Sequence, residues 1–321
     1  MQYDAILIVS FGGPEGVQDV IPFLENALRG RNVPRERMLA VAEHYYHFGG
    51  RSPINDHCRE LIAALRKEVS LPIYWGNRNW HPMLADTVRQ MAADGVRRAL
   101  AIATSAYSSY SSCRQYIENI EAARAAVGYQ APEIHKLPPF GSHPLFLQAN
   151  AERVGAAVAR IPEDRKAAAR LVFTAHSIPM AMAATCRYEE QLRYTAGYVS
   201  GAVGHPEWDL VWQSRSGPPT QPWLAPDILD HLRSLAENSV KDVVAAPIGF
   251  LSDHMEVMYD LDVEAAQLCA GLGINLVRAE TVGTHPKLIA MLRQLIEERL
   301  AATSPALCAD DCCPAPRGAR P

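Results

Sequence analysis

The chain has 321 residues, 48% hydrophobic and 21% charged, which is enough apolar material for one large or two medium packed domains and too much for a disordered chain. Its formal net charge is −4, so no general attraction draws it to nucleic acid or to an anionic membrane surface. No apolar run approaches the roughly 18 residues of a transmembrane segment, and the start, "MQYDAILIVSFGGP", lacks the basic opening and long apolar core of a signal peptide. The compartment expected from these features is cytoplasmic, where thiols stay reduced and clustered cysteines more often bind metal than pair.

Strands are predicted at 4–11, 72–77, 98–105 and 133–140, and again at 170–177, 209–215, 241–250 and 274–281. Helical patterns lie between them, for example at 16–29, 54–69, 83–95, 143–160, 255–271 and 285–301. Near-continuous apolar strands alternating with helices define an α/β chain, with parallel sheets covered on both faces. Two sets of four strands predict two α/β domains, 1–145 and 146–302. "FGSHPL" (140–145) and "VGTHPK" (282–287) each follow a fourth strand, with Ser142 and Thr284 as expected N-caps and Pro144 and Pro286 in the first turn. Residues 303–321 form a cysteine-containing tail with four prolines and no periodicity.

Several stretches carry the residue types of chemistry. "SFGGPEG" (10–16) is a Gly-rich turn after the first strand, without the spacing of a dinucleotide fingerprint, where a flat ligand can approach the backbone. "VFTAHSIP" (172–179) puts His176 at the C-terminal end of a strand, where open α/β sheets bind ligands. "AHSIP" is not a GxSxG elbow, so Ser177 is a poor candidate for a hydrolase nucleophile. In "SDHMEVMYDLDVEAAQL", read as a helix capped by Ser252 or Asp253, Glu256, Asp260 and Glu264 recur every four residues and share one face. Such a ladder is either a solvated acidic face or, half-buried, a place for protons or hard divalent metal. His176 facing Glu256 would suit ferrous iron and proton transfer. "LRGRNVPRERM" (28–38) gathers Arg29, Arg31, Arg35 and Arg37, and Arg78 sits between Trp75 and Trp80. Arginines beside aromatics suit a flat ligand with carboxylates, or else a solvated connection.

Taken together and in order, "SFGGP", "HFGGRSPIN" (47–55), "TAHSIP", "WQSRSGPPTQPWLAPD" (212–227) and "GFLSDHMEVMYDLD" (249–262) resemble the ferrochelatase family over nearly the whole chain. The resemblance implies the chelatase fold, two Rossmann-like domains, each a four-stranded parallel sheet flanked by helices, around a porphyrin cleft. It implies insertion of ferrous iron, a substrate, into a porphyrin for heme biosynthesis, with release of two protons. His176 and Glu256 match the family's catalytic residues, one taking pyrrole protons and the other binding metal, and Asp260 and Glu264 match an acidic path to the surface. Ser52 and Arg78 match positions at the porphyrin, with Arg29, Arg31, Tyr46 and Tyr116 as further porphyrin-binding candidates. Bending the ring would tilt its nitrogens toward metal on one face and expose N–H groups to a base on the other. The arginine-rich segment 24–39 stands where protoporphyrin-using members carry an apolar lip, which favours coproporphyrin III over protoporphyrin IX. The competing readings are a cobalt or nickel tetrapyrrole chelatase and a non-catalytic heme- or iron-binding protein. The sequence leaves the oligomeric state undecided.

The tail, "LCADDCC", holds Cys308, Cys312 and Cys313. A bridge between adjacent cysteines would be strained, with Cα atoms about 3.8 Å apart. A [2Fe–2S] cluster needs four thiolates, so the fourth must come from the body of the chain. Cys58 and Cys269 read as small core residues, Cys186 lies near the His176 turn, and Cys113 opens a helix. By resemblance to ferrochelatases with three C-terminal cysteines and an internal one in a "YSxC" stretch, Cys113 of "YSSC" completes a [2Fe–2S] set. Zinc on the same thiolates and an unliganded tail are the alternatives.

Overall fold

A computed structural model describes residues 2–30, 33–217, 220–304, 308 and 312–315. Among these, eight strands build two four-stranded sheets, each strand falling inside or within a residue of a predicted one. The first sheet contains β1 (Ala5–Ser10), β2 (Ile73–Asn77), β3 (Arg98–Ala103) and β4 (Glu133–Lys136), in the order β2-β1-β3-β4. The second contains β5 (Arg170–His176), β6 (Trp208–Gln213), β7 (Asp242–Ala246) and β8 (Asn275–Arg278), in the order β6-β5-β7-β8. All pairings are parallel, and the two halves share one strand order.

Every residue of β1 and β7 is buried, as expected for strands covered on both faces. Alternation divides them: Ile6 and Ile8 enter one core, Leu7 and Val9 another. The core holding Ile6 and Ile8 also holds Leu171, Phe173 and Val277 of the second sheet, so one apolar body runs through both halves. Each fully buried side chain of this kind contributes roughly 1.5–3 kcal/mol.

The helices of the first half are α1 (Val20–Ala27), α2 (Arg35–His47), α3 (Ile54–Leu65), α4 (Leu84–Ala93) and α5 (Gln115–Val127). Helix α6 (Pro144–Val158) leaves β4 and packs on the helix Tyr188–Val203; the helix Pro286–Ala301 leaves β8 and packs on α3 and α6. The repeat behind these two helices is real, but its caps differ from those expected. His143 and His285, not Ser142 and Thr284, are the N-caps, each Nδ1 accepting from a backbone N–H two residues on at 3.2 Å. Pro144 and Pro286 fill the first helical position.

A second correction concerns the acidic helix. It starts at Met255 with His254 as N-cap, and neither Ser252 nor Asp253 caps it. It then widens into π-helix over Met258–Ala265 before resuming as α-helix over Ala266–Leu272. Wide turns of this kind concentrate at functional sites. A second π-helical turn, Tyr110–Arg114, carries Cys113 into α5.

Candidate active site at the strand ends

The site gathers where the strands end. β5 ends at His176 and β6 at Gln213, and the turn after β7 leads to Glu256. Gly249 permits that convergence, since a Cβ there would lie 2.4 Å from Cβ of Ala175. His176 Nδ1 is 2.5 Å from the Ser177 carbonyl, and Tyr188 Oη donates to the His176 carbonyl at 3.2 Å. A carbonyl only accepts, so Nδ1 carries a ring proton and Nε2 is the nitrogen that faces the site. That Nε2 lies 3.9 Å from Glu256 Oε2, and both side chains are about a third to two-fifths exposed. A porphyrin ring between two groups would separate them by about 7 Å, two carbon contacts of ~3.5 Å. His176 and Glu256 thus stand closer together than two groups opposed across a ring would.

Beyond Glu256 the carboxylates remain neighbours across the π-helix. Burial pushes Asp260 up to about 7; the Ser214 hydroxyl opposes this, and the charges of Glu256 and Glu264 reinforce it. Ser214 Oγ and Gln213 Nε2 both donate to Asp260 Oδ2, the latter at 3.2 Å. Ser214 adopts φ of 59°, a strained conformation for a residue with a Cβ. Glu264 is raised by burial and then by Asp227. Burial also lowers His254, whose neighbours include Glu256 and His176. From α2, burial lowers His44 and raises Tyr45, and both feel the Glu256 charge. His44 stacks on Tyr259 at 3.8 Å between ring centroids. Sequence reading missed His44, Tyr45, His254, Gln213 and Ser214. Only "WQSR", a polar run at a strand end, signals any of them.

Two of the basic residues meet in the first half of the chain. Arg29 and Arg78 line one cleft of about 250 Å³ with Phe11, Asn79, Gln115 and Asn119. Backbone bonds from Arg78 and Asn79 to the Ser10 and Phe11 carbonyls fix this turn on the end of β1. The Arg78 guanidinium lies 4.7 Å from the Tyr116 ring centroid and donates to the Ser111 carbonyl at 3.3 Å, while its buried Nε has no partner. The buried Asn119 Oδ1 is also without a partner. Tyr116 is 5% exposed and acts as the floor under Arg78. Ser52 is buried against Gly13, and Tyr46 is half-buried beside the α1–α2 core. The turn glycine Gly12 has φ of 81° and approaches Asn77, so the Gly-rich turn serves the protein's own packing first. Arg31 lies outside the described residues.

All seven cysteines are free thiols. Cys113 is 2% exposed and Cys313 5%, although they are 200 positions apart. Cys113 keeps its proton through a hydrogen bond to Cys308 and through burial, while Cys308 is lowered to about 7. Cys312 joins the same hydrogen-bonded set, and its Sγ is 3.7 Å from that of Cys313. Burial and Cys312 push Cys313 up to about 12. Arg114 Nε donates to the Cys312 carbonyl at 3.3 Å, and Cys313 is held at φ of 53°. Among the described residues, no three His, Cys, Asp or Glu side chains gather closely enough to hold a single metal ion. No helix among them is long and apolar enough to cross a membrane.

Two comparisons locate this architecture. SirB from Bacillus subtilis superposes with a TM-score of 0.57 over 94% of this chain and 96% of its own, at 13% identity. CbiX, an enzyme of siroheme biosynthesis in denitrifying bacteria, superposes at 0.53 over 92% and 100%, at 16% identity. The chain thus has the two-sheet fold of the chelatases. The sequence model of the ferrochelatase family matches residues 3–300. A ferrochelatase of Rhodopirellula baltica is 54% identical over 97% of this chain and 93% of its own length. A coproporphyrin III ferrochelatase of Mycolicibacterium smegmatis is 50% identical over 95% and 92%. The chain belongs to the ferrochelatase family, enzymes that insert ferrous iron into a porphyrin in heme synthesis.

Proposed function

We propose that the porphyrin is coproporphyrin III and that His176 and Glu256 carry the exchange of two protons for iron. The observation that carries the chemistry is the separation of 3.9 Å between His176 Nε2 and Glu256 Oε2. On one ring face, His176 Nε2 would accept one pyrrole proton and the Glu256 carboxylate the other, so that both leave as iron enters. Asp260 is ready to take or pass a proton near neutral pH, and Asp260 and Glu264 lead protons or ferrous iron between the site and the surface. Arg29 and the unpartnered Nε of Arg78 are the proposed propionate anchors, with Tyr116 supporting Arg78; Ser52, Tyr46 and Arg31 are retained as secondary contacts.

The polar, arginine-lined cleft favours a substrate with four carboxylates over one with two, as do the names of relatives such as the Mycolicibacterium smegmatis enzyme. The test is an anaerobic assay with ferrous iron and either porphyrin. At least tenfold higher kcat/KM for coproporphyrin III is expected; equal or reversed preference would overturn this choice.

We propose further that Cys113, Cys308, Cys312 and Cys313 hold a [2Fe–2S] cluster. A metal–sulfur bond of about 2.3 Å sets two sulfurs of a tetrahedral site about 3.8 Å apart. The Cys312–Cys313 separation of 3.7 Å fits that edge, and the strained φ of Cys313 supports a function for it. When bound, the cluster would supply a covalent clasp and one-electron chemistry. The chain is proposed to act in the cytoplasm and to divide at residues 145/146 and 302/303, the tail serving as the clasp.

A further inference from the structure

The helices α1 and α2 enclose a small apolar core of their own, whose buried members run from Val20 to Tyr45 with one exception. Among the described residues that exception is Met255, the neighbour of Glu256 and a residue of the second half of the chain. Tyr259 packs half-buried against the same core. His44 of α2 lies flat on the Tyr259 ring, with 3.8 Å between centroids and 9° between planes. His47, one turn further along α2, meets the same ring edge-on at 6.0 Å and 86°. The next residue is tied elsewhere: Asp260 Oδ2 accepts from Gln213 and Ser214 at the end of β6. The wide turn Met258–Ala265 is thus held to α2 on one side and to the second sheet on another. π-Helical turns are rare in their own right, so contacts of this kind are what keep one in place.

We propose that Tyr259, stacked on His44, is a positioning residue for iron insertion: the stack fixes the acidic helix on α2 and so holds the Glu256 carboxylate beside His176. The inference rests on the proposed role of Glu256. The two members of that pair are supported very differently. His176 ends β5, a central strand bonded to β6 and β7 on either side. Glu256 lies in an α-helical segment of three residues, Met255–Val257, between a turn and the wide turn. The N-cap of that segment, His254, makes no side-chain bond to it. Little inside so short a segment can set the Glu256 carboxylate at 3.9 Å from His176 Nε2, so the setting comes from outside. Met255 and Tyr259, on either side of Glu256 in the chain, both anchor on the α1–α2 core. The precision matters, because a shift of about 1 Å in a reacting group can cost on the order of 100-fold in rate. Tyr259 acts through Glu256 and takes no part in the exchange of protons for iron.

The experiment uses the full-length protein as wild type, Tyr259→Leu, Tyr259→Phe, His44→Leu, Glu256→Gln and the double variant Glu256→Gln/Tyr259→Leu. Steady-state insertion of ferrous iron is measured anaerobically with the porphyrin that wild type turns over faster, and kcat is referred to folded protein by circular dichroism. Tyr259→Leu and His44→Leu should each lower kcat about tenfold or more while the porphyrin KM stays within about twofold. Tyr259→Phe keeps the ring and should recover most of the loss. In the Glu256→Gln background, Tyr259→Leu should cost less than about twofold more, because both changes remove one contribution. A ring that merely stabilised the fold would cost the same factor in both backgrounds, and that result would overturn the proposal. If Tyr259→Leu does not fold, His44→Leu removes the same stack from the other side and decides the matter. Wild-type kcat in the folded leucine variants, with Glu256→Gln slow, would overturn the positioning role and leave the reading of Glu256 intact. Wild-type turnover by Glu256→Gln would overturn that reading, and this inference with it.

Discussion

At the residue scale, function turns on where a proton or a charge is held. Arg78 is fixed from below by Tyr116 and from the side by Ser111, yet its Nε points at nothing in the protein. Arg78→Leu should raise KM for coproporphyrin III about tenfold or more while changing kcat less, because a remote anchor contributes mainly to uniform binding. An unchanged KM in steady-state assays would remove Arg78 from the porphyrin site. Asp260 makes a different prediction. Its folded-state value of about 7 exceeds its ordinary 3.8, so the native state binds the proton more tightly. Its stabilising effect is full below about pH 4 and lost as pH rises through 7. Asp260→Asn should therefore stabilise the fold relative to wild type more at pH 8 than at pH 4, by a few kcal/mol at most in denaturant unfolding. A difference that does not vary with pH would contradict the assignment.

At the element scale, the site depends on how closely the turn after β7 lies on β5. Gly249→Ala would set a Cβ 2.4 Å from Ala175, so a loss of about 1–3 kcal/mol by denaturant unfolding is expected. Adding Ala175→Gly should recover only part of it, because the new Cβ would still lie 2.6 Å from the Cα of residue 175; no loss in the single variant would show that the turn has slack. The strands were legible because runs such as Ala5–Ser10 are apolar throughout, which only a covered parallel strand requires. His176 is a candidate in the sequence because it ends an apolar strand, and Glu256 because carboxylates recur every four residues after it. The widened turns at Met258–Ala265 were not, because side chains apolar on several faces leave no period to read. Helix α2 hid inside an arginine-rich run, and with it His44 and Tyr45. His143 and His285 as caps were hidden because histidine is not among the common capping residues.

At the scale of the whole molecule, the two sheets are bound by one apolar core and by helices that each half lays on the other. Calorimetry should therefore show a single unfolding transition despite the internal repeat; two separate transitions would mean that the halves fold independently. The same arrangement sets the strand ends of the second sheet, with His176 and Glu256, against α2 of the first, so neither half alone contains the site. The most direct test is single-turnover insertion of ferrous iron into coproporphyrin III, followed anaerobically by the porphyrin's absorbance, for wild type and a folded His176→Ala variant. The account predicts rapid formation of iron coproporphyrin by wild type and a rate at least 100-fold lower in the variant, on the order of what a positioned base contributes. Insertion by His176→Ala at near the wild-type rate would contradict it.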